Sequence, residues 1–230
     1  MTDLNELKRQ AGIYAADQVQ SGMVVGLGHG STAIHAVRRI AERIQSGDLS
    51  DILGIPCSAQ VEADARALGI PLTTLEQHSV IDLTIDGADE VDPNLELIKG
   101  GGGALTREKI VAQASEQEII IVDHSKLVPA LGTGWAIPIE VIPFGYGSQQ
   151  AFLEDLGASV KVRQKADGST FITDQGNIIL DARFGPLPDP AALATLLKAR
   201  TGIVEHGLFI GLATQVIVAE TVGIRMMKRS

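Results

Sequence analysis

Chemistry-bearing residues gather in four short stretches of the chain, and the densest is "IKGGGGALTREK", Ile98 to Lys109. Four consecutive glycines, Gly100 to Gly103, follow Lys99 and precede Arg107, Glu108 and Lys109. Glycine allows close backbone approach to a ligand and φ values closed to other residues, so the amides of Gly100, Gly101 and Gly102 can converge on one oxygen as an anion hole. Lys99 adds a mobile positive charge, and Glu108 falls in the first turns of the helix that follows. As a surface residue Glu108 would only pair with a basic neighbour, worth about a few tenths of a kcal/mol. That role leaves the glycines without a purpose.

"IDGADEVD", Ile85 to Asp92, sets Asp86, Asp89, Glu90 and Asp92 directly after an apolar strand. Hard cations take oxygen ligands, so a divalent-metal site is one reading. A set of acceptors for a polyol, with one acid moving a proton, is a second, and a solvated acidic turn is a third. Asp86 fits the solvated turn least, because it ends the strand itself. "GLGHGST", Gly26 to Thr32, stands where a strand hands over to a helix. Amides and hydroxyls of His29, Gly30, Ser31 and Thr32 would suit an anion there, although tight packing would use the same glycines. The stretch lacks the Walker lysine and departs from the dinucleotide fingerprint at its third glycine. "VDHSK" places Lys126 after another strand end. The histidines, His29, His35, His78, His124 and His206, show no metal-ligand spacing, so no zinc site is expected, and only His29 lies inside a candidate motif.

The elements that must carry these stretches follow from hydrophobic periodicity. Leu7, Ala11, Ala15 and Val19 recur at helical spacing over Asn5 to Val19. "MVVGL" reads as a strand, Ser31 and Thr32 as capping candidates, and Ile34, Val37, Ile40, Ala41 and Ile44 as the apolar stripe of a second helix. "ILGIP", a helix closed by Gly69, the strand "VIDLTID", a helix over Leu105 to Ala114 and the strand "IIIVD" continue the alternation. Such alternation implies an α/β fold with a doubly wound, mainly parallel, Rossmann-like sheet, in which ligands bind outside the carboxyl ends of strands. From about Trp135 the order becomes β-α-β-β-α-β, the split ferredoxin-like unit. The expected organisation is a Rossmann-like domain over residues 1–134 plus 206–230 and a smaller ferredoxin-like α+β domain over 135–205. The tail "LFIGLATQVIVAE" is expected to return to the first sheet.

Composition narrows the function classes. The formal net charge is −9, which argues against a nucleic-acid surface, since that would need Lys and Arg clustered over a whole face, so any anion is expected to be held by a local site. The single cysteine, Cys57, excludes an intrachain disulfide and reads as a small buried apolar residue. The N-terminal stretch lacks the basic-then-apolar order of a signal peptide, and the longest apolar run, near Leu208 to Ala219, is far short of the roughly 20 residues a membrane helix needs. A cytoplasmic protein without a membrane span is the expectation.

Taken in order, "GLGHGSTA", "IDGADE", "IKGGGGALTREK" and "VDHSK", followed by "VIP" and "GNIILD", make the chain resemble the A-type ribose-5-phosphate isomerases over nearly its whole length. The resemblance implies interconversion of D-ribose 5-phosphate and D-ribulose 5-phosphate in the pentose phosphate pathway, through an enediol-type intermediate and without metal or organic cofactor. It assigns Glu108 as proton acceptor, Asp86 and Asp89 to the sugar hydroxyls and ring opening, and Lys99 with the following glycine amides to the oxyanion. Ser31, Thr32 and Lys126 would hold the phosphate, with Lys8 as a helper. Gly87 and Ala88 complete the substrate-binding stretch. The same resemblance implies a homodimer or homotetramer acting on a small sugar phosphate. The chain departs from the family pattern at His29, Cys57 and Val61, where threonines are usual, and at Gly103, where alanine is common. The alternatives are a non-catalytic sugar-phosphate sensor, which could lose Glu108 and would carry a DNA-binding domain, an amino-sugar-phosphate isomerase, or a coenzyme A transferase, which would form an acyl-enzyme at a glutamate.

Overall fold

A computed structural model of the chain describes residues 4–229. Met1, Thr2, Asp3 and Ser230, where the expected first domain begins and ends and the leaderless start was read, lie outside the described residues. Along the chain run α1 (Leu4–Ala16), β1 (Val24–Leu27), α2 (Ala33–Ser46), β2 (Leu53–Pro56), α3 (Ala59–Ala67), β3 (Ile81–Gly87), β4 (Glu90–Val91), β5 (Leu97–Ile98), α4 (Leu105–Gln113) and β6 (Ser115–Asp123). A short 3-10 turn, His124–Lys126, precedes β7 (Ile137–Val141), α5 (Tyr146–Asp155), β8 (Ser159–Val162), β9 (Ile178–Arg183), α6 (Pro190–Lys198), β10 (Ile203–His206), β11 (Leu208–Phe209), β12 (Gln215–Glu220) and β13 (Gly223–Lys228).

The chain divides into two compact units. The first comprises the chain up to Ala88, Arg107–Lys126 and the chain from Gly211 onward. Its six-stranded sheet has the order β13-β12-β6-β3-β1-β2, parallel except for β13, which returns antiparallel along β12. Strands covered on both faces need an unbroken apolar run rather than alternation, and Ile119 to Val122 of β6 are all buried. Leu7, Ala11 and Ala15 of α1 and Val37 and Ile40 of α2 pack with Val25, Ile85 and Ile119 in one core. Val24, Ile55, Cys57 and Ile81 meet Val111 of α4 in another. Because β1 lies between β2 and β3, the chain leaves it on both sides, and the loops at the carboxyl ends of β1 and β3 flank the switch point at which doubly wound sheets bind ligands.

The second unit comprises Asp89–Thr106 and Leu127–Ile210. Its four-stranded sheet, β10-β7-β9-β8, is antiparallel throughout and carries α5 and α6 in the ferredoxin-like order that the sequence pattern leads one to expect. Ile139, Val141, Leu153, Leu180, Ala182 and Leu197 form its core. A further three-stranded antiparallel sheet, β11-β5-β4, has no counterpart in the sequence reading. Strands of two residues are too short to show a period. This sheet explains why the contact division departs from the expected boundaries at Trp135 and Glu205: it groups 89–106 with residues up to Ile210. The expected return of the tail is thus split, with Leu208–Phe209 pairing β5 and only Gln215–Glu220 joining the large sheet. Among the described residues, no helix is long and apolar enough to cross a membrane.

Candidate active site

In the first unit the β1–β3 register, Leu27 beside Ile85, brings the glycine turn against the end of β3. Gly28 N–H donates to Ile85 O at 3.0 Å. A Cβ on residue 28 would stand 2.4 Å from both Ile85 O and Asp86 Oδ1, so only glycine fits this approach. Asp86 is 1% exposed, and its Oδ1 accepts the N–H of His29 at 2.9 Å and of Gly87 at 2.7 Å. Charge-assisted bonds of this kind fix the carboxylate in one orientation. His29 Nδ1 lies 3.0 Å from Ser58 Oγ, and Ser58 Oγ also accepts Val61 N–H to cap α3. The structure therefore places the His29 side chain on Ser58.

Glu108 stands in the first turn of α4 and is 5% exposed, which removes the surface-pair reading. One of its carboxylate oxygens, one of Asp86 and Cys57 Sγ all lie within 4.8 Å of one another, and all three residues are buried. Two acids from elements far apart in sequence thus meet at the carboxyl end of β3. Ser31 is exposed, and its hydroxyl accepts a hydrogen bond from Lys8 Nζ at 3.1 Å. Thr32 occupies the N-cap position of α2, yet its hydroxyl makes no capping bond. Its backbone is already right-handed helical, whereas a capping side chain is aimed by an extended residue; the expected cap is absent for that reason. Lys126 is half-buried in the turn after β6, the strand beside β3. Asp123 Oδ1 accepts the Ser125 N–H at 2.9 Å and hydroxyl at 2.5 Å, which shapes the turn that presents it. Gly30, Gly87 and Ala88 line the same carboxyl edge of the parallel sheet.

The second unit holds Asp89, Lys99 and the glycine run. Asp89 Oδ2 accepts Gly101 N–H at 2.7 Å, and Gly103 N–H donates to Gly100 O at 3.0 Å. Two of the four glycine amides are therefore engaged within the loop. Among the described residues the amides of Gly100 and Gly102 make no such bond. Lys99 is expected as a mobile charge, but it is 2% exposed, and its Nζ lies 5.4 Å from the centroid of Phe209 in cation–π geometry. Pairing of β5 with β11 seats Phe209 there, and Lys99 N–H donates to Gly207 O at 2.9 Å. Gly103 has φ +86°, and a Cβ on it would stand 2.4 Å from the Phe171 ring tip.

The four acids of the "IDGADEVD" stretch do different work. Glu90 accepts the N–H groups of Gly132, Gly134 and Trp135 at 2.5 to 2.7 Å, and Asp92 accepts those of Asn94 and Glu96 at 2.8 and 2.9 Å. Both order loops of the second unit. Sequence reasoning missed Ser58 and Arg163. Arg163 Nη1 donates to Gly100 O at 2.8 Å and Gly101 O at 3.2 Å, while its Nε and Nη2 grip the Asp181 carboxylate. Nothing in "SVKVRQ" marks that arginine, because its partners are backbone oxygens more than 60 positions away.

The family model described as ribose 5-phosphate isomerase A (phosphoriboisomerase A) matches residues 53–223. The chain belongs to the ribose 5-phosphate isomerase A family. It is 58% identical over 229 residues to ribose-5-phosphate isomerase A of Chloroflexus aurantiacus, covering 100% of this chain and 96% of the relative. The corresponding protein of Desulfatibacillum aliphaticivorans is 56% identical over 99% of both chains. Among solved structures, a D-ribose-5-phosphate isomerase in complex with phospho-erythronic acid superposes with a TM-score of 0.97 at 38% identity, covering 99% of this chain and 100% of that one. The ribose 5-phosphate isomerase of Plasmodium falciparum gives 0.94 at 44% identity, covering 97% and 98%. Membership in the ribose 5-phosphate isomerase A family agrees with the α/β fold of the first unit and the antiparallel sheet of the second.

Proposed function

We propose that the chain is an aldose–ketose isomerase that interconverts D-ribose 5-phosphate and D-ribulose 5-phosphate. Buried Glu108 beside Asp86, in a chain of this family, is the observation that carries the reading. Glu108 removes the proton from C2 of the open-chain aldose, and the electron pair left behind moves into an enediolate. The same carboxyl then delivers that proton to C1, while the O2 hydroxyl proton passes to O1, so that C2 becomes the ketone carbon and O1 a hydroxyl. Asp86, held by two backbone N–H groups, accepts from sugar hydroxyls, as does Asp89, and both assist ring opening. Negative charge developing on oxygen is met by Lys99 and the amides of Gly100 and Gly102, each well-aimed donor being worth about 2.7 to 4 kcal/mol in the transition state. Gly101 supports the loop through Asp89. Ser31 with Lys8, Thr32, Gly30 and Lys126 take the phosphate, while the His29 N–H holds Asp86 in place. This reading includes a cytoplasmic homodimer or homotetramer.

The test follows ketose formation from ribose 5-phosphate, with chelator present, for the parent protein and Glu108→Gln. The expected result is turnover in chelator for the parent, and a kcat lowered by roughly 10² to 10⁴ in the variant with KM little changed. A parent protein without turnover would sink the assignment. Near-normal kcat in Glu108→Gln would remove Glu108 from the role of base.

A further inference from the structure

Cys57 has no part in the proton transfer, yet its sulfur sits with the two acids of the first unit. Sγ of Cys57, an Asp86 oxygen and a Glu108 oxygen lie within 4.8 Å of one another, all on buried residues. We propose that these three groups form an inhibitory site for a thiophilic divalent cation, zinc being the prime case. The proposal rests on the isomerase reading only where it concerns inhibition.

Donor chemistry favours such an ion. Zinc takes thiolate at about 2.3 Å and carboxylate oxygen at about 2.0 to 2.2 Å, so the donors of one tetrahedral ion stand about 3.5 Å apart. From within 4.8 Å, the donors here need to close by up to about 1.3 Å to reach that spacing. Three protein ligands leave a fourth position open, the arrangement of exchangeable zinc rather than of sealed structural sites. One soft and two hard donors select zinc and its soft neighbours over magnesium or calcium, which take oxygen alone. Two carboxylates and a thiolate also overbalance the ion's double charge, which suits a buried location where an uncompensated cation would be costly.

Three different elements supply the ligands. Cys57 follows β2, Asp86 ends β3 and Glu108 opens α4. The Cys57 N–H donates to Leu27 O at 3.1 Å, which anchors the residue to the strand next to β3. Binding would release the thiol proton to solvent and tie up the carboxylate that must remove the substrate proton. Zinc and substrate then compete for Glu108, so inhibition relieved by chelator is the expected behaviour.

The experiment uses the whole chain in a weakly coordinating buffer, with zinc followed by calorimetry and cobalt by absorbance. Expected are one zinc per chain bound with proton uptake by the buffer, a thiolate-to-cobalt charge-transfer band, and ribose 5-phosphate turnover that zinc abolishes and chelator restores. Cys57→Ser should lose the band and bind zinc at least about tenfold more weakly, since loss of a mere supporting contact already costs that much. Glu108→Gln, read by binding alone, should weaken zinc likewise. Cobalt bound without a thiolate band, or zinc affinity unchanged in both variants, overturns the proposal. Absence of turnover in the parent with the band present would refute the isomerase reading and leave the metal site standing.

Discussion

Gly28→Ala tests whether the approach of β1 to β3 sets the position of Asp86. The added methyl would stand 2.4 Å from Asp86 Oδ1, 2.4 Å from Ile85 O and 2.5 Å from Asp86 Cα. Two of these neighbours are backbone in a central strand and cannot swing away. The loop must therefore lift, at an overpacking cost of about 1 to 3 kcal/mol. Lifting breaks the His29 N–H bond to the Asp86 carboxylate, worth about 1.5 to 3 kcal/mol, and the Gly28 N–H bond to Ile85 O, worth about 0.5 to 1.5 kcal/mol. Together the expected loss is about 3 to 7.5 kcal/mol, a large part of the stability of an ordinary domain. Gly103→Ala is the comparison. There the intruding methyl meets the tip of a half-buried ring, Phe171, which can rotate outward, so the cost is chiefly the φ of +86°, about 1 to 2 kcal/mol. Urea unfolding of both variants, with kcat measured on the folded fraction, gives the test. Gly28→Ala should be the less stable and should also lose turnover, because Asp86 moves with the loop. Equal stability losses in the two variants would refute the steric account of the β1–β3 approach.

Other expectations follow from single contacts. Arg163→Ala frees the carbonyls of Gly100 and Gly101, so kcat for ribose 5-phosphate should fall about tenfold or more with KM less affected, and Arg163→Lys should not restore it because lysine cannot hold a carboxylate and two carbonyls with one planar fork. An unchanged kcat would show that the glycine loop needs no such brace. His35 on α2 is pushed below its usual 6.5 first by burial and then by Arg38, Arg9 and Lys8. Its folded-state value is lowered, so the unfolded chain takes up the proton first, and the contribution to stability is present above about 6.5 and lost as pH falls through the folded value. Urea midpoints should therefore decline below pH 6.5 in the parent and decline less in His35→Gln; parallel pH profiles would contradict this.

Much of the first unit was legible because its signals are local. A fully covered parallel strand such as Ile119–Val122 reads as an unbroken apolar run, and Asp86 and Lys126 stand out because they follow the ends of such runs, whereas the role proposed for Glu108 rests on the family resemblance. The β-α-β-β-α-β order was legible for the same reason. Strands of two residues carry no period, and β4, β5 and β11 went unread. Their pairing buries Lys99 against Phe209, where the sequence reading had a mobile charge.

By itself, then, the sequence determined the alternation of elements and the family, since these depend on side-chain type and short-range period, and it supplied the residues proposed to move a proton. Tertiary structure alone decided which groups face one another. It set Asp86 against Gly28, placed Cys57 with the two acids, gave Glu90 and Asp92 to loop amides, and handed Arg163 the carbonyls of the glycine run. Those outcomes rest on strand register and on contacts between positions tens of residues apart, and distance in space across such separations is not encoded in any local pattern of residue types.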